Sequence, residues 1–261
     1  MIGLLLVLAA AVSHAADRVV VRDVSYGSAA LQRFDVYAPP HARNAPVIFM
    51  VHGGGWRRGD KAMSRIVDNK AAHWVPKGYV FISVNYRLDV DALEQANDIA
   101  RALDVAQKRA SEWGGDRTKF ILMGHSAGAH LVALVAARNT APLAGTVVLD
   151  SAALDVVSVM QSRHFRFYDD AFGSDPAKWR AASPFHAATK KTAPMLVVCS
   201  SRRATSCTQA HAFVNRLTTL GTRASVLEEN LSHRQINEEL GETSAYTKAV
   251  DAFLATLRPA G

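Results

Sequence analysis

Ser126 lies within Gly124-His125-Ser126-Ala127-Gly128, after the apolar run 120–123 and before the small, apolar stretch 129–137. A serine flanked this way on a strand-to-helix turn forms a nucleophile elbow. The turn leaves no room for a Cβ at either glycine, and its strain holds the hydroxyl out over the strand ends. Upstream, directly after another apolar run at 46–51, stands His52-Gly53-Gly54-Gly55-Trp56. Consecutive glycines leave backbone N–H groups free to face a developing oxyanion, the second part that acyl transfer requires. The two motifs together point to hydrolysis through an activated serine.

A serine hydroxyl is a poor nucleophile at neutral pH and needs a base to take its proton during attack. His233, in Asn230-Leu231-Ser232-His233, follows the strand-like run 224–228 and precedes the final predicted helix, the place in the chain order where such a base is delivered. His211 falls inside a predicted helix, His125 is fixed in the elbow and His130 follows the serine on its helix, so these read as ordinary polar or core-edge histidines.

To bring these groups together the chain needs a scaffold, and its apolar rhythm describes one. Runs 19–24 and 31–37 read as an opening antiparallel pair that ends at Pro39-Pro40. After them come short apolar or β-branched runs at 47–50, 79–84, 120–123, 146–149 and 195–198, each separated by a helical stretch. Strand, helix, strand in repetition predicts an α/β fold, a mostly parallel central sheet with helices on both faces. Residues 91–113 carry Leu93, Ala96, Ile99, Ala100, Leu103 and Ala106 at helical spacing, ended by Gly114-Gly115; 207–220 and 244–257 behave likewise, stopped by Gly221 and Pro259. Between 155 and 192 the periodicity breaks around Tyr168-Asp169-Asp170, which predicts an insertion of short helices over the cleft, too short to be a domain of its own.

Residues 16–261 of the 261, with 49% hydrophobic composition in the whole chain, suit a single domain with a large core. Residues 2–12 form an apolar run too short to span a bilayer, followed by Ser13-His14-Ala15 with small residues where a signal peptidase reads. Cleavage is expected after Ala15, giving a periplasmic or secreted protein without a membrane span. In such a compartment disulfides persist, and Cys199 and Cys207 are expected to pair. Neither cysteine has metal-ligand company and the histidines are scattered, so no metal or cofactor is expected. Net charge is +7, with Arg57, Arg58, Arg202 and Arg203 on loops that follow strands. That places an electropositive mouth over the cleft, suited to anionic substrates, or else an ordinary solvated basic face. Basic residues are not interleaved with aromatics, and nucleic acid is not an expected partner.

His52 to Trp56, Gly59-Asp60-Lys61, Val84-Asn85-Tyr86-Arg87-Leu88, Gly114-Gly115-Asp116 and Gly124 through His130 together resemble the α/β-hydrolase esterases with an H-G-G-G-W oxyanion motif. That group is similar to the hormone-sensitive-lipase-like and kynurenine-formamidase-like carboxylesterases, and the resemblance runs in order and spacing from about Leu31 to Leu257. It implies an α/β-hydrolase fold. It also implies oxyanion donors at the N–H groups of Gly54, Gly55 and Ala127, with Gly53 a further candidate, and a substrate-lining Trp56, whose indole reads equally as packing.

Such enzymes usually take the triad's carboxylate from the loop after the strand equivalent to 195–198, but here that loop runs from Cys199 to Cys207 and no acid lies between Asp175 and Glu228. Asp150, ending the preceding strand, is the first substitute. Asp155 is the second, although it reads as a helix cap, and the third possibility is no effective acid. Asp60 reads as the cap of a helix over 61–74, and Asp116 as a turn residue. The implied function is an exported serine carboxylesterase acting on a small or medium ester through an acyl-enzyme. The alternatives are an arylformamidase-type amidase and a catalytically impaired hydrolase fold used for binding.

Overall fold

The computed structural model describes residues 18–138 and 140–257; the expected leader at 1–15 lies outside the described residues. Its strands are β1 (Val19–Ser25), β2 (Arg33–Ala38), β3 (Ala45–Val51), β4 (Val80–Val84), β5 (Gly115–His125), β6 (Gly145–Leu149), β7 (Met195–Ser200) and β8 (Ala224–Glu229). They form one 8-stranded sheet in the order β1-β2-β4-β3-β5-β6-β7-β8. β1 pairs antiparallel with β2, and β2 with β4; every other neighbouring pair is parallel. The α/β architecture expected from the alternating runs is therefore present, and the parallel strands all deliver their C-terminal ends to one edge.

The two-residue period of a strand splits the core into two layers. Phe49 and Val51 of β3, Phe120 and Leu122 of β5, and Val197 and Cys199 of β7 enter one layer, under helices Ala92–Lys108, Ala127–Arg138 and Ala204–Thr219. Ile48, Met50, Ile121, Met123, Leu196 and Val198 enter the other, under Ser64–Trp74 and Ala245–Ala255. With both faces covered, alternate positions have no polar side to show, and the strands read as continuous apolar runs. Ala127–Arg138 is buried from Ala127 through Ala137. A helix apolar all round is stable only when enclosed, and this enclosed helix is the one that begins right after Ser126.

Three helices differ from expectation, and the one expected over 207–220 begins at Ala204. The helix expected over 91–113 stops at Lys108, and Ala110–Trp113 turns as a 3-10 helix before Gly114 at φ +73. The helix expected from residue 61 begins at Ser64, and Asp60 does not cap it. The Asp60 carboxylate instead accepts from the Ala62 N–H at 2.7 Å and from Asn85 Nδ2 at 2.8 Å. Asn85 is the cause, because its Oδ1 also takes the Lys61 N–H and ties this segment down as a loop beside the end of β4. Asp116, expected in a turn before the elbow strand, lies within β5 itself, where its carboxylate accepts from the Thr118 N–H and hydroxyl. The insertion carries short helices Val156–Met160, Arg166–Phe172, Pro176–Ala182 and Pro184–Ala187, and Asp155 caps the first by accepting from the Ser158 N–H. No helix among the described residues is long and apolar enough to cross a membrane.

Candidate active site

Ser126 is the single residue between β5 and helix Ala127–Arg138, and its φ is +57. Left-handed backbone costs a non-glycine residue roughly 1–3 kcal/mol, so the surroundings must hold it there. The Ser126 N–H donates to the Leu149 carbonyl at 3.0 Å, and the Ser126 carbonyl accepts from His130 N–H at 3.1 Å. A Cβ on Gly124 would stand 2.4 Å from the Gly128 carbonyl oxygen, and one on Gly128 would stand 2.3 Å from that of Val51. Gly124 thus lets strand and helix fold onto each other. Gly128 lets the helix dock against the end of β3, which seats the elbow beside the glycine loop.

Gly53 meets the elbow from the other side, where an added Cβ would lie 2.9 Å from Ser126 Cβ. Gly54 has φ +129 and its Cβ would overlap the Arg58 carbonyl, so only glycine fits there; Gly55, at φ +61, faces open space. The N–H groups of Gly54, Gly55 and Ala127 make no hydrogen bond among the described residues. His52 supports the loop from below, stacked 4.5 Å from Tyr86 and donating from Nδ1 to the Gly53 carbonyl at 2.8 Å. Its burial lowers the imidazole pKa and keeps the ring neutral.

Asp150 follows β6 directly, at φ +54, with its N–H donating to the Val198 carbonyl at 2.8 Å. His233 Nδ1 lies 2.5 Å from Asp150 Oδ2, and His233 Nε2 lies 3.0 Å from Ser126 Oγ. With its Nδ1–H given to the carboxylate, the ring presents Nε2 as the acceptor for the serine hydroxyl, a tautomer assigned from these partners. His233 opens helix His233–Glu238, which a capping box aims: Ser232 Oγ accepts from the Gln235 N–H while Gln235 Oε1 accepts from the Ser232 N–H. His125 closes in from the elbow, its ring 4.4 Å from that of His233 and its Nε2–H donating to the His233 carbonyl at 2.9 Å. Burial, aided by the neighbouring His233, pushes His125 down to about 3, so it stays neutral.

The Asp150 side chain is fully buried. It accepts from Ser200 N–H at 2.9 Å and Ser206 Oγ at 2.5 Å on Oδ1, and from Arg203 Nη1 at 2.5 Å on Oδ2. Burial alone would raise its pKa. The hydrogen bonds from His233 and Ser206, the Arg203 charge and the Ser200 N–H outweigh that and hold the carboxyl well below the ordinary range. The structure therefore brings Ser126, His233 and Asp150 together, and it leaves Asp155 outside, 3.5 Å from His186 and engaged as a cap. Glu228 pairs with His211 at 2.7 Å.

These groups open on a cleft of about 690 Å³ whose walls include the glycine loop, Arg57, Arg58, Arg65, Arg203 and Arg234. Arg202, expected at the mouth, instead donates to Asn230 Oδ1 at 3.0 Å, and Arg65 and Arg234 supply the cations there. Trp56 is 4% exposed. Its Nε1–H donates to His130 Nδ1 at 3.2 Å and its ring packs 4.9 Å from Phe172, so it supports the loop while still lining the cleft. The exposed aromatic wall belongs to the insertion, through Phe165 at 74% and Phe167 at 38% exposure.

Residues 34–166, half of the chain, match the sequence model of BD-FAE. The chain belongs to the BD-FAE family. Esterase LipC of Mycobacterium tuberculosis (strain ATCC 25618 / H37Rv) is 28% identical over 223 residues, which cover 75% of this chain and 54% of LipC. Kynurenine formamidase of Danio rerio is 33% identical over 118 residues, covering 43% of this chain and 37% of the formamidase. The chain thus spans about half or less of the length of these curated relatives. Esterase B from Lactobacillus Rhamnosis (HN001) superposes with a TM-score of 0.76 at 20% identity, over 92% of this chain and 85% of that one. The fold is that of the α/β-hydrolase esterases.

The part matched to BD-FAE contains the glycine loop, Ser126 and Asp150, and stops before His233 and everything that grips Asp150 from β7 onward. Ser200 and Ser206 are functional candidates that spacing did not single out in this BD-FAE member, and Arg203 was expected only at the mouth, because a hydroxyl or an arginine on a loop carries no sign of the carboxylate it will meet. A signal did exist for His233: Ser232-His233-Arg234-Gln235 has the S-x-x-Q spacing of a capping box.

Proposed function

We propose that this chain is an exported serine carboxylesterase that cleaves a small or medium ester, preferentially an anionic one, through an acyl-enzyme. The observation that carries the reading is His233, within hydrogen-bond reach of Ser126 Oγ through Nε2 and of Asp150 through Nδ1. Ser126 Oγ attacks the ester carbonyl as His233 Nε2 takes its proton, and Asp150 stabilises the imidazolium. The N–H groups of Gly54, Gly55 and Ala127 receive the oxyanion. Collapse of the tetrahedral intermediate breaks the bond to the alcohol, which leaves with the proton from His233. Water, activated by the same histidine, then hydrolyses the acyl-enzyme. The chemistry asks for no metal or cofactor.

An anionic preference is supported by Arg58 and Arg65, which line the cleft without a carboxylate partner among the described residues, whereas Arg57 pairs with Asp170 and Arg234 with Glu238. Export is supported by the apolar run at 2–12 with Ala15 after it, and by the Cys199–Cys207 bridge. Ser126→Ala tests the nucleophile: turnover of a short-chain nitrophenyl ester is expected to fall about a million-fold, and labelling by a fluorophosphonate probe to vanish. Persistent labelling in that variant, or a folded wild-type protein that resists the probe, refutes the assignment and favours a binding role. The likeness to kynurenine formamidase keeps an amidase as the second reading. Faster turnover of N-formylkynurenine than of the nitrophenyl ester would decide for it.

A further inference from the structure

The bridge between Cys199 and Cys207, 8 residues apart, closes a ring that contains no carboxylate but holds Ser200, Arg203 and Ser206. All three donate to Asp150, a residue on the neighbouring strand end. The same ring grips the loop that brings His233, because Ser200 Oγ donates to the Leu231 carbonyl and the Ser201 N–H donates to the Glu229 carbonyl at 3.0 Å. We propose that the disulfide-closed ring 199–207 is the positioning element of the site: Ser200, Arg203 and Ser206 aim the Asp150 carboxylate at His233, and the bridge keeps the three donors in register. The inference rests on the serine-esterase reading.

A carboxylate can turn about its Cβ–Cγ bond, and only one orientation presents Oδ2 to His233 Nδ1. Two donors on Oδ1, the Ser200 N–H and the Ser206 hydroxyl, fix that turn, since rotation would leave a buried oxygen unpaired. Those donors come from either side of the junction between β7 and helix Ala204–Thr219, with Ser200 in the strand and Ser206 in the first helical turn. That turn has no side-chain cap. An uncapped turn frays, and here fraying would carry Ser206 away from Asp150. Cys207, in the same turn, is bolted to Cys199 in β7, so the bridge does the work a cap would do and restricts the open alternatives.

Arg203 adds an electrostatic element. Its Nη1 shares Oδ2 with His233 Nδ1 and lies 2.7 Å from that nitrogen. A charged donor on Oδ2 strengthens the grip on that oxygen where it meets the imidazole.

The test uses the full chain with a Cys199→Ser/Cys207→Ser double variant, Ser206→Ala and Arg203→Gln, assayed for kcat and KM on a neutral nitrophenyl ester and for the unfolding midpoint. The double variant and Ser206→Ala are expected to lose kcat by roughly ten- to a hundredfold, the cost of an ångström-scale misplacement, with KM little changed. Arg203→Gln is expected to lose kcat in the same way with KM little changed, because the charged donor on Oδ2 is gone. A purely structural ring would lower the unfolding midpoint and leave kcat alone in folded protein; that result overturns the proposal. Should the double variant fail to fold, Ser206→Ala and Arg203→Gln decide it. Wild-type protein that resists the fluorophosphonate probe overturns the esterase reading and this inference with it, whereas a labelled enzyme with unaltered ring variants removes the inference alone.

Discussion

The glycine loop and the elbow are made of backbone, whereas Asp150 and His233 are placed by side chains. Between β3 and Ala129 the positions are set by contacts that only glycine permits, such as Gly53 against Ser126 and Gly128 against Val51. Between β6 and His233 the positions are set by hydrogen bonds between segments that approach each other only in the folded sheet, such as Ser206 to Asp150 across 56 residues and His233 to Asp150 across 83. A backbone device has one solution, because a Cβ either fits or does not. A side-chain device has several, since any donor that reaches the carboxylate can serve. The family match to residues 34–166 covers the backbone device entirely and the side-chain device only as far as Asp150.

Substitutions on each side can sharpen that contrast. The largest effect is expected from Asp150→Asn, which keeps the shape and removes the charge that fixes the tautomer of His233. Turnover should drop about ten-thousandfold with an unchanged circular dichroism spectrum, and near-normal kcat would take Asp150 out of the mechanism. Next is Gly128→Ala, whose methyl would press on two backbone carbonyls at the end of β3; denaturant unfolding should show a loss of roughly 3 kcal/mol, the upper range for overpacking. Gly55→Ala meets no atom within 4 Å but keeps φ +61. Its cost should be only about 1 kcal/mol, the penalty of left-handed backbone, and equal losses for the two glycines would contradict the steric account. A similar loss of stability, with the smallest effect on catalysis, is expected from Asp155→Ala, which removes a cap worth about 1 kcal/mol and leaves turnover intact. A collapse of kcat there would transfer the acid's role to Asp155.

Legibility followed the same division. Apolar runs marked the buried strands, but β5 begins at Gly115, well before the run at 120–123. Its first residues are polar and largely outside the core, and a strand held by pairing without burial leaves no hydrophobic trace. Asp60 read as a helix cap because an aspartate before a helical stretch satisfies free N–H groups. Asn85, 25 residues away, made a loop of that segment. Trp56 read from its place after the glycines either as a cleft residue or as packing, and it is both: it lines the cleft while His130 and Phe172 hold its ring.

By itself the sequence determined the two-layered core, the glycine turns and the identity of the groups able to do chemistry, because periodicity and the absence of a Cβ act between near neighbours along the chain. The tertiary structure alone decided which carboxylate reaches His233, which arginines face the cleft and what the ring at 199–207 holds. Those outcomes depend on the direction in which each side chain leaves its strand end, and that direction is set by packing between segments dozens of residues apart.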